Sequence, residues 1–397
     1  MNERVLIAGA GPVGCVAALA LARQGVPVTV FEAAPALPPD LRASTFHPPT
    51  LDMLDDLGVA QALIGEGLIC PRWQHRDRER GIVADWNLGT LAGDTRHPYR
   101  VQCEQFRLTG IVADRLAATA DVEIRFDARV SDVSQDAGQV RVTLETPVGS
   151  EIVRGSYLIG ADGASSAVRR AIGIGFDGLT FPELWFIAST PYDFSTRFDD
   201  LAPIAYVADP EEWFVFVRVP GLWRVLLPAR PSETAEEIVD DANVEARMQR
   251  VCPKQGRYRI AHRTAYQIHQ RVAESYRKGR VLLAGDAAHI NNPLGGMGMN
   301  GGIHDAVNLA GKLAPVWHGE AAAETLDRYD RQRRPIAIEH VQAATLRNKE
   351  LLDESDPALR RRRQDDLSEI AADPVTARDY LLRTSMISAL RHAESIP

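Results

Sequence analysis

The stretch RVLIAGAGPVGCVAALALARQGVPVTVFE, Arg4–Glu32, decides the fold. Arg4 to Ala8 form an apolar run of strand length, Gly9 to Gly14 form a glycine-rich turn, Val13 to Gln24 carry helix formers, and Val28 to Glu32 form a second apolar run. Strand, glycine turn, helix and strand make the opening βαβ unit of a dinucleotide-binding domain. In Gly9-Ala10-Gly11-Pro12-Val13-Gly14 the glycines let the turn tighten, let backbone approach a pyrophosphate, and let the helix pack on the strand. The helix N-terminus then presents its unpaired N–H groups to the phosphates. Glu32, followed by Ala33, closes the second strand where a carboxylate can accept hydrogen bonds from ribose hydroxyls.

Two further GxGxxG strings show how much context matters. Gly173 to Gly178 follows a helix-like stretch, and Gly296 to Gly301 lacks a βαβ setting, so only the first string supports the nucleotide reading. The apolar run Val5–Ala22 also imitates a secretion signal, but Gly9, Gly11, Pro12 and Gly14 interrupt the helix that such a signal needs. No stretch reaches the length of a membrane span, and a cytoplasmic protein with no membrane contact is expected. A net charge of -8 argues against a nucleic-acid partner and leaves a small molecule as the expected one. Cys15, Cys70, Cys103 and Cys252 are far apart and show no metal-ligand spacing, so they read as reduced, buried thiols, and no metal site is expected.

Further along, helices are expected at Pro49–Leu57 and Phe106–Ala118, and buried strands at Val153–Ile159 and Val281–Ala284. Between Phe181 and Arg230 the texture changes to strands rich in Trp, Tyr and Phe, which predicts a separate antiparallel sheet. Two more motifs each follow a strand. One is Asp162-Gly163-Ala164-Ser165-Ser166-Ala167-Val168-Arg169; the other is Gly285-Asp286-Ala287-Ala288-His289, which continues through Pro293, Gly296, Gly298, Met299 and Asn300 into a helix at Gly302–Leu313. A carboxylate at a strand end facing a cofactor can bind a polyol.

In this order and spacing the three motifs resemble the para-hydroxybenzoate hydroxylase family of single-component FAD-dependent aromatic monooxygenases, over Arg4–Arg334. The resemblance implies an α/β chain: a glutathione-reductase-like Rossmann FAD-binding domain from residues 1–71, 98–180 and 270–345, an inserted substrate-binding β-sheet domain from 72–97 and 181–269, and C-terminal helices over 346–397. It implies that the first motif and Glu32 hold the ADP half of FAD, that Asp162, Gly163 and Arg169 touch FAD or the nicotinamide, and that Gly285 and Asp286 hold the ribityl chain. Arg42, Gln102 and the stretch Arg100–Gln105 resemble further FAD contacts, Pro293 is implied near the reactive edge, and the backbone at Gly298–Asn300 faces the pyrimidine end. A positive helix N-terminus there would stabilise the anionic reduced ring.

The implied reaction is hydroxylation of a small phenolic or hydroxylated heteroaromatic substrate, with NADH or NADPH as reductant and O2 as oxidant through a flavin C4a-hydroperoxide. His47 is the first candidate for substrate acid–base work, with a backbone-bonded loop histidine as the competing reading. Arg218 and Arg224 are candidates to clamp a substrate carboxylate, and Tyr206 and Trp213 candidate pocket walls, against exposed arginines and plain core packing. The alternatives on the same fold are an epoxidase or polyketide hydroxylase, and a flavin-dependent reductase; a Trp-x-Trp-x-Ile segment expected of a halogenase is absent. The C-terminal segment is expected either to pack on the FAD domain or to form the contact of a homodimer.

Overall fold

The computed structural model describes residues 4–39, 41, 43–230 and 232–397; Arg42 lies outside the described residues. The opening unit forms as the sequence dictates: strand Val5–Ala8, helix Pro12–Ala22 and strand Val28–Phe31. Both strands are wholly buried, and Val5–Ala8 is the inner strand of a six-stranded sheet, paired in parallel with Val28–Phe31 and Tyr157–Gly160. Val281–Leu283 and Val122–Arg125 continue the sheet in parallel on either side. The run Val153–Ile159 splits. Its first half belongs to strand Gly149–Gly155 of a small antiparallel sheet, and its second half to Tyr157–Gly160 of the central one.

An eight-stranded sheet forms the second layer. It is antiparallel as expected except where Ile204–Ala208 runs parallel to Arg72–Asp77. Residues 72–97, expected in the inserted domain, thus supply two strands, Arg72–Asp77 and Gly81–Asn87, to the aromatic sheet. Strands Phe176–Thr190 and His262–Ala273 are paired along their length and run through the expected domain junctions at 180 and 270. We propose the two-domain division with its junctions inside these continuous strands.

Alternation sends successive residues of the eight-stranded sheet to opposite faces. Trp185, Tyr206, Val215 and Leu226 join one core, while Phe186, Ala205, Phe214, Phe216 and Val225 join another. Helix Asp241–Val251 covers the second core through Val244, Met248 and Val251. The first is covered by the C-terminal segment, whose Leu352, Leu367, Leu381, Leu382 and Ile387 pack against Trp73 and Trp86. Most of that segment therefore caps the aromatic sheet, while helix Ile387–Ser395 places Ala389 and Ala393 against Ile336.

Helix Gly298–His318 begins four residues before the expected start at Gly302, so Gly298 and Gly301 are helical too. Glycine is required at 302: a Cβ there would lie 2.6 Å from Val13 Cγ2 and 3.0 Å from Gly285 Cα. From this helix Asp305, with no exposed surface, accepts hydrogen bonds from Arg333 Nε (2.6 Å) and Gly285 N (3.1 Å), and bonds His289 Nε2 (2.7 Å). Burial pushes the Asp305 carboxyl up, but His289, Arg333 and these hydrogen bonds outweigh it and hold it below the usual carboxylate range.

A carboxylate whose folded pKa is depressed contributes stability above its unfolded pKa, lost as pH falls through the folded value. Asp305→Asn is expected to destabilise the protein by about 3–5 kcal/mol, because it strands the buried Arg333 charge. Thermal unfolding checks this, and the gap between wild type and variant should narrow below about pH 4.

Candidate active site

A cleft of about 440 Å³ opens along the C-terminal edge of the parallel sheet, lined by Gly9, Gly11, Pro12, Glu32, Ala33, Asp162 and Gly163 among others. Gly9, at φ 96°, holds the turn against the next strand: a Cβ would sit 2.5 Å from Ala161 O. A Cβ on Gly14 would sit 1.9 Å from Gly9 O, whereas one on Gly11 would meet nothing within 4 Å. The turn is thus closed behind and bare in front. Val13 packs beneath it, against the turn at Gly285, whose φ is 61°.

Glu32 Oε2 accepts from Ala10 N at 2.8 Å and Oε1 from Ala34 N at 2.9 Å, so its carboxylate also fixes the turn. Asp162 lines the cleft while accepting from Ser166 Oγ (2.5 Å) and Val168 N (3.1 Å). Arg169 is buried, its guanidinium 3.7 Å from the Phe176 ring centre and bonded to the carbonyls of Ala164 and Ala287, both at 2.8 Å. It ties the Asp-Gly motif to the Gly-Asp motif, and its neighbour Arg170 lines the cleft. Asp286 is half-buried at the start of that second motif.

The loop from Pro293 to Gly296 is gripped from two layers. His47 Nε2 lies 2.9 Å from Gly295 O, and the Tyr206 hydroxyl accepts from Gly295 N at 3.0 Å. Asn300 accepts from His47 N (2.9 Å) and donates to Thr45 O (2.8 Å) and Gly296 O (2.7 Å), and the Gln102 carboxamide bonds the Thr45 hydroxyl at 3.1 Å. Pro293 and Gly298 are half-buried, Met299 buried. Because a carbonyl only accepts, His47 carries its proton on Nε2, and its buried Nδ1 is a lone pair without a partner. Burial above all, then the Arg100 charge, drives the His47 pKa well below its ordinary value, so the ring is neutral.

The other expected substrate residues divide. Tyr206 belongs to this loop clamp. Trp213 donates to Asp353 Oδ1 (2.7 Å) and meets Trp185 edge-on, as core packing. Arg224 is buried but meets Glu104 at 3.3 Å, and Arg218 is exposed over Trp223 on the sheet face opposite Tyr206, where alternation puts it. Arg100 opens the stretch that resembles further FAD contacts; its guanidinium lies 5.0 Å from the Trp73 ring centre, near Tyr206 and Tyr380, and its buried Nε has no partner. The cysteines are free and buried, as expected. Glu339, His340 and His392 come together within 4.8 Å, a grouping that no sequence spacing announces.

Comparison with known proteins gives this geometry its family. The family described as "FAD binding domain" matches residues 2–344. Para-nitrophenol 4-monooxygenase of Pseudomonas sp. strain WBC-3 is 35% identical, over 99% of this chain and 98% of the relative. 6-Hydroxy-3-succinoylpyridine 3-monooxygenase HspB of Pseudomonas putida S16 is 34% identical, over 86% of each. The crystal structure of p-nitrophenol 4-monooxygenase PnpA from Pseudomonas putida DLL-E4 superposes with a TM-score of 0.92 at 33% identity, covering 98% of each chain. The chain belongs to the FAD binding domain family, within the para-hydroxybenzoate hydroxylase-like flavoprotein monooxygenases. It is an FAD-dependent aromatic hydroxylase.

The residues present fit FAD: a backbone cradle open at Gly11, a carboxylate at Glu32, and a glycine loop flanked by His47 Nδ1 and Asn291 Oδ1, both buried without a partner. Glu32→Ala would release the Ala10 and Ala34 N–H groups that its carboxylate holds. At about 1–3 kcal/mol for such a loss, FAD affinity should fall at least about fivefold, read as flavin retained after gel filtration.

Proposed function

We propose that this chain hydroxylates a small phenolic or hydroxylated heteroaromatic ring, taking electrons from NADH or NADPH and one oxygen atom from O2, as a cytoplasmic enzyme that forms homodimers. The observation that carries the reading is the grip on Gly295: one loop of the cofactor-binding layer is held by His47 on one side and by Tyr206, from the aromatic sheet, on the other. A ring seated against Tyr206 would lie beside the loop that the resemblance puts at the cofactor's reactive edge. The named activities of the relatives, on para-nitrophenol and on a hydroxypyridine, support the same class.

Bound FAD would supply hydride acceptance and oxygen activation. The chain's own part is to bind, orient and keep dry. Asn300 and Gln102 fix the backbone around the loop, and the first turn of helix Gly298–His318 turns its unpaired N–H groups toward that end. His47 Nδ1 can accept a hydrogen bond from a substrate hydroxyl without becoming charged.

The purified protein with FAD should oxidise NADH or NADPH faster when one phenol or hydroxypyridine is added, with product in excess of peroxide. No stimulation by any ring would overturn the reading. His47→Ala leaves Gly295 O unpaired, a loss of about 1–3 kcal/mol, and should lower the ratio of product to peroxide about tenfold. Since His47 is neutral through the neutral range, the pH profile of turnover should keep its shape in this variant. A lost inflection would show that His47 titrates.

A further inference from the structure

Two histidines distant in the chain meet where the last helix closes on the fold. Helix Asp327–Ile336 continues without interruption through a π-helical turn, Ala337–Gln342, into helix Ala343–Leu352. Glu339 and His340 sit on that turn, and His392 sits on the last helix, Ile387–Ser395. His340 Nε2 and His392 Nδ1 lie 2.9 Å apart, with the ring centres 5.2 Å apart. One coordinating atom from each of Glu339, His340 and His392 falls within 4.8 Å of the other two, and no other His, Cys, Asp or Glu group does this among the described residues.

Two imidazole nitrogens aimed at each other share one proton, one ring donating and the other accepting. A divalent ion takes both lone pairs in place of that proton. Zn–N bonds of about 2.0–2.1 Å at a tetrahedral angle put two nitrogens about 3.3 Å apart, so the rings need to part by only about 0.4 Å. The third group is near enough to join them: Glu339 is exposed, and its carboxylate can swing in. The turn that carries it favours this. Pro335 interrupts the hydrogen-bond ladder just before it, and a π turn, closed by i→i+5 bonds, rotates less per residue than an α-helix and brings the adjacent Glu339 and His340 toward one face.

A cavity of about 480 Å³ opens beside the cluster, with Pro335, Glu339, His392 and Ile396 in its wall, so water can reach a fourth coordination position. The two arginines of that cavity are turned to other acceptors, Arg331 Nε to Pro397 O (3.2 Å) and Arg334 Nε to Ala273 O (2.9 Å). The contact between the two helices is otherwise thin. Its buried apolar part is Ile336 against Ala389 and Ala393, joined by a hydrogen bond from Gln332 Nε2 to Ile396 O at 2.7 Å.

We propose that Glu339, His340 and His392 form a binding site for a divalent first-row transition ion, of which Zn2+ is the reference, that staples the last helix to helix Asp327–Ile336 and its π turn. Two imidazoles with one carboxylate suit such an ion, whereas Mg2+ and Ca2+ take oxygen ligands. The site is separate from the cofactor cleft and does not depend on the hydroxylase reading. Its mechanical link to that cleft is Arg333, on the stapled helix, which meets Asp305.

The test titrates ZnCl2 into tag-free, FAD-loaded protein freed of metal by a chelator, followed by calorimetry. Wild type is expected to bind one Zn2+ per chain, to give no such heat with MgCl2, and to slow amide hydrogen exchange in Ile387–Ser395 when Zn2+ is present. Since losing even an outer partner of a metal ligand costs about 10–100-fold in affinity, Glu339→Gln, His340→Asn and His392→Asn should each weaken binding at least about tenfold. His318→Asn, which alters an exposed histidine bonded to Gln24 O, should keep wild-type affinity. Glu339 lies outside the Ile336 contact, so Glu339→Gln tests the site with that packing intact, and retained FAD shows that each variant is folded. A wild type that binds no Zn2+, or binds Mg2+ equally well, overturns the proposal. So does Zn2+ binding that survives in all three ligand variants.

Discussion

A single buried carboxylate, Asp305, holds the two ends of the cofactor site in register. It reaches back from helix Gly298–His318 to the amide of Gly285, takes His289 from the same motif, and is neutralised by Arg333. The helix is thereby locked at the height where Gly302 meets Val13 of the first helix and where Asn300 meets the backbone around His47. The glycine turn lies nearly three hundred residues before the Gly-Asp turn and the loop at Gly295 in sequence. What makes them one site is a charge that must be buried, and a helix that glycine allows to come close.

The second layer depends on the first through few contacts. His47 and Tyr206 take the carbonyl and the amide of one residue, Gly295, and Gln270, on the strand that crosses the expected domain junction, accepts from Asn292 beside the same loop at 3.2 Å. A continuous strand is a stiffer connection than a linker, because its ladder of hydrogen bonds resists bending at any one residue. The aromatic sheet is in this way fixed over the loop with no hinge at the expected junction. A site that must keep water from a reactive oxygen species gains from such a fixed roof.

Much of this was legible in the sequence because it is local. The glycine turn, Glu32 at the end of the second strand, the Gly-Asp motif and the change of texture at Phe181 each follow from periodicity or from steric rules within a few residues. What was not legible is pairing. Arg224 and Arg100 look alike in sequence, two arginines in short apolar strands, yet Glu104 meets one and no described carboxylate meets the other. Arg169 likewise reads as a cofactor contact by its place in a motif, while its two carbonyl partners lie at Ala164 and Ala287. The early start of the long helix was missed for a related reason, since Gly298 and Gly301 break helices by propensity, and Gly301 is kept here by its packing against His289.

In the C-terminal segment the same gap between local pattern and tertiary pairing recurs. Its composition is that of a solvated, charged helix pair, with Arg360–Arg363 followed by Asp365 and Asp366, and nothing in its charge pattern points inward. The inward face is made by a few residues, Leu381, Leu382, Tyr380 and the Thr384 carbonyl, and these cover the aromatic face of the sheet beside the Arg100 Nε that they leave without a hydrogen bond.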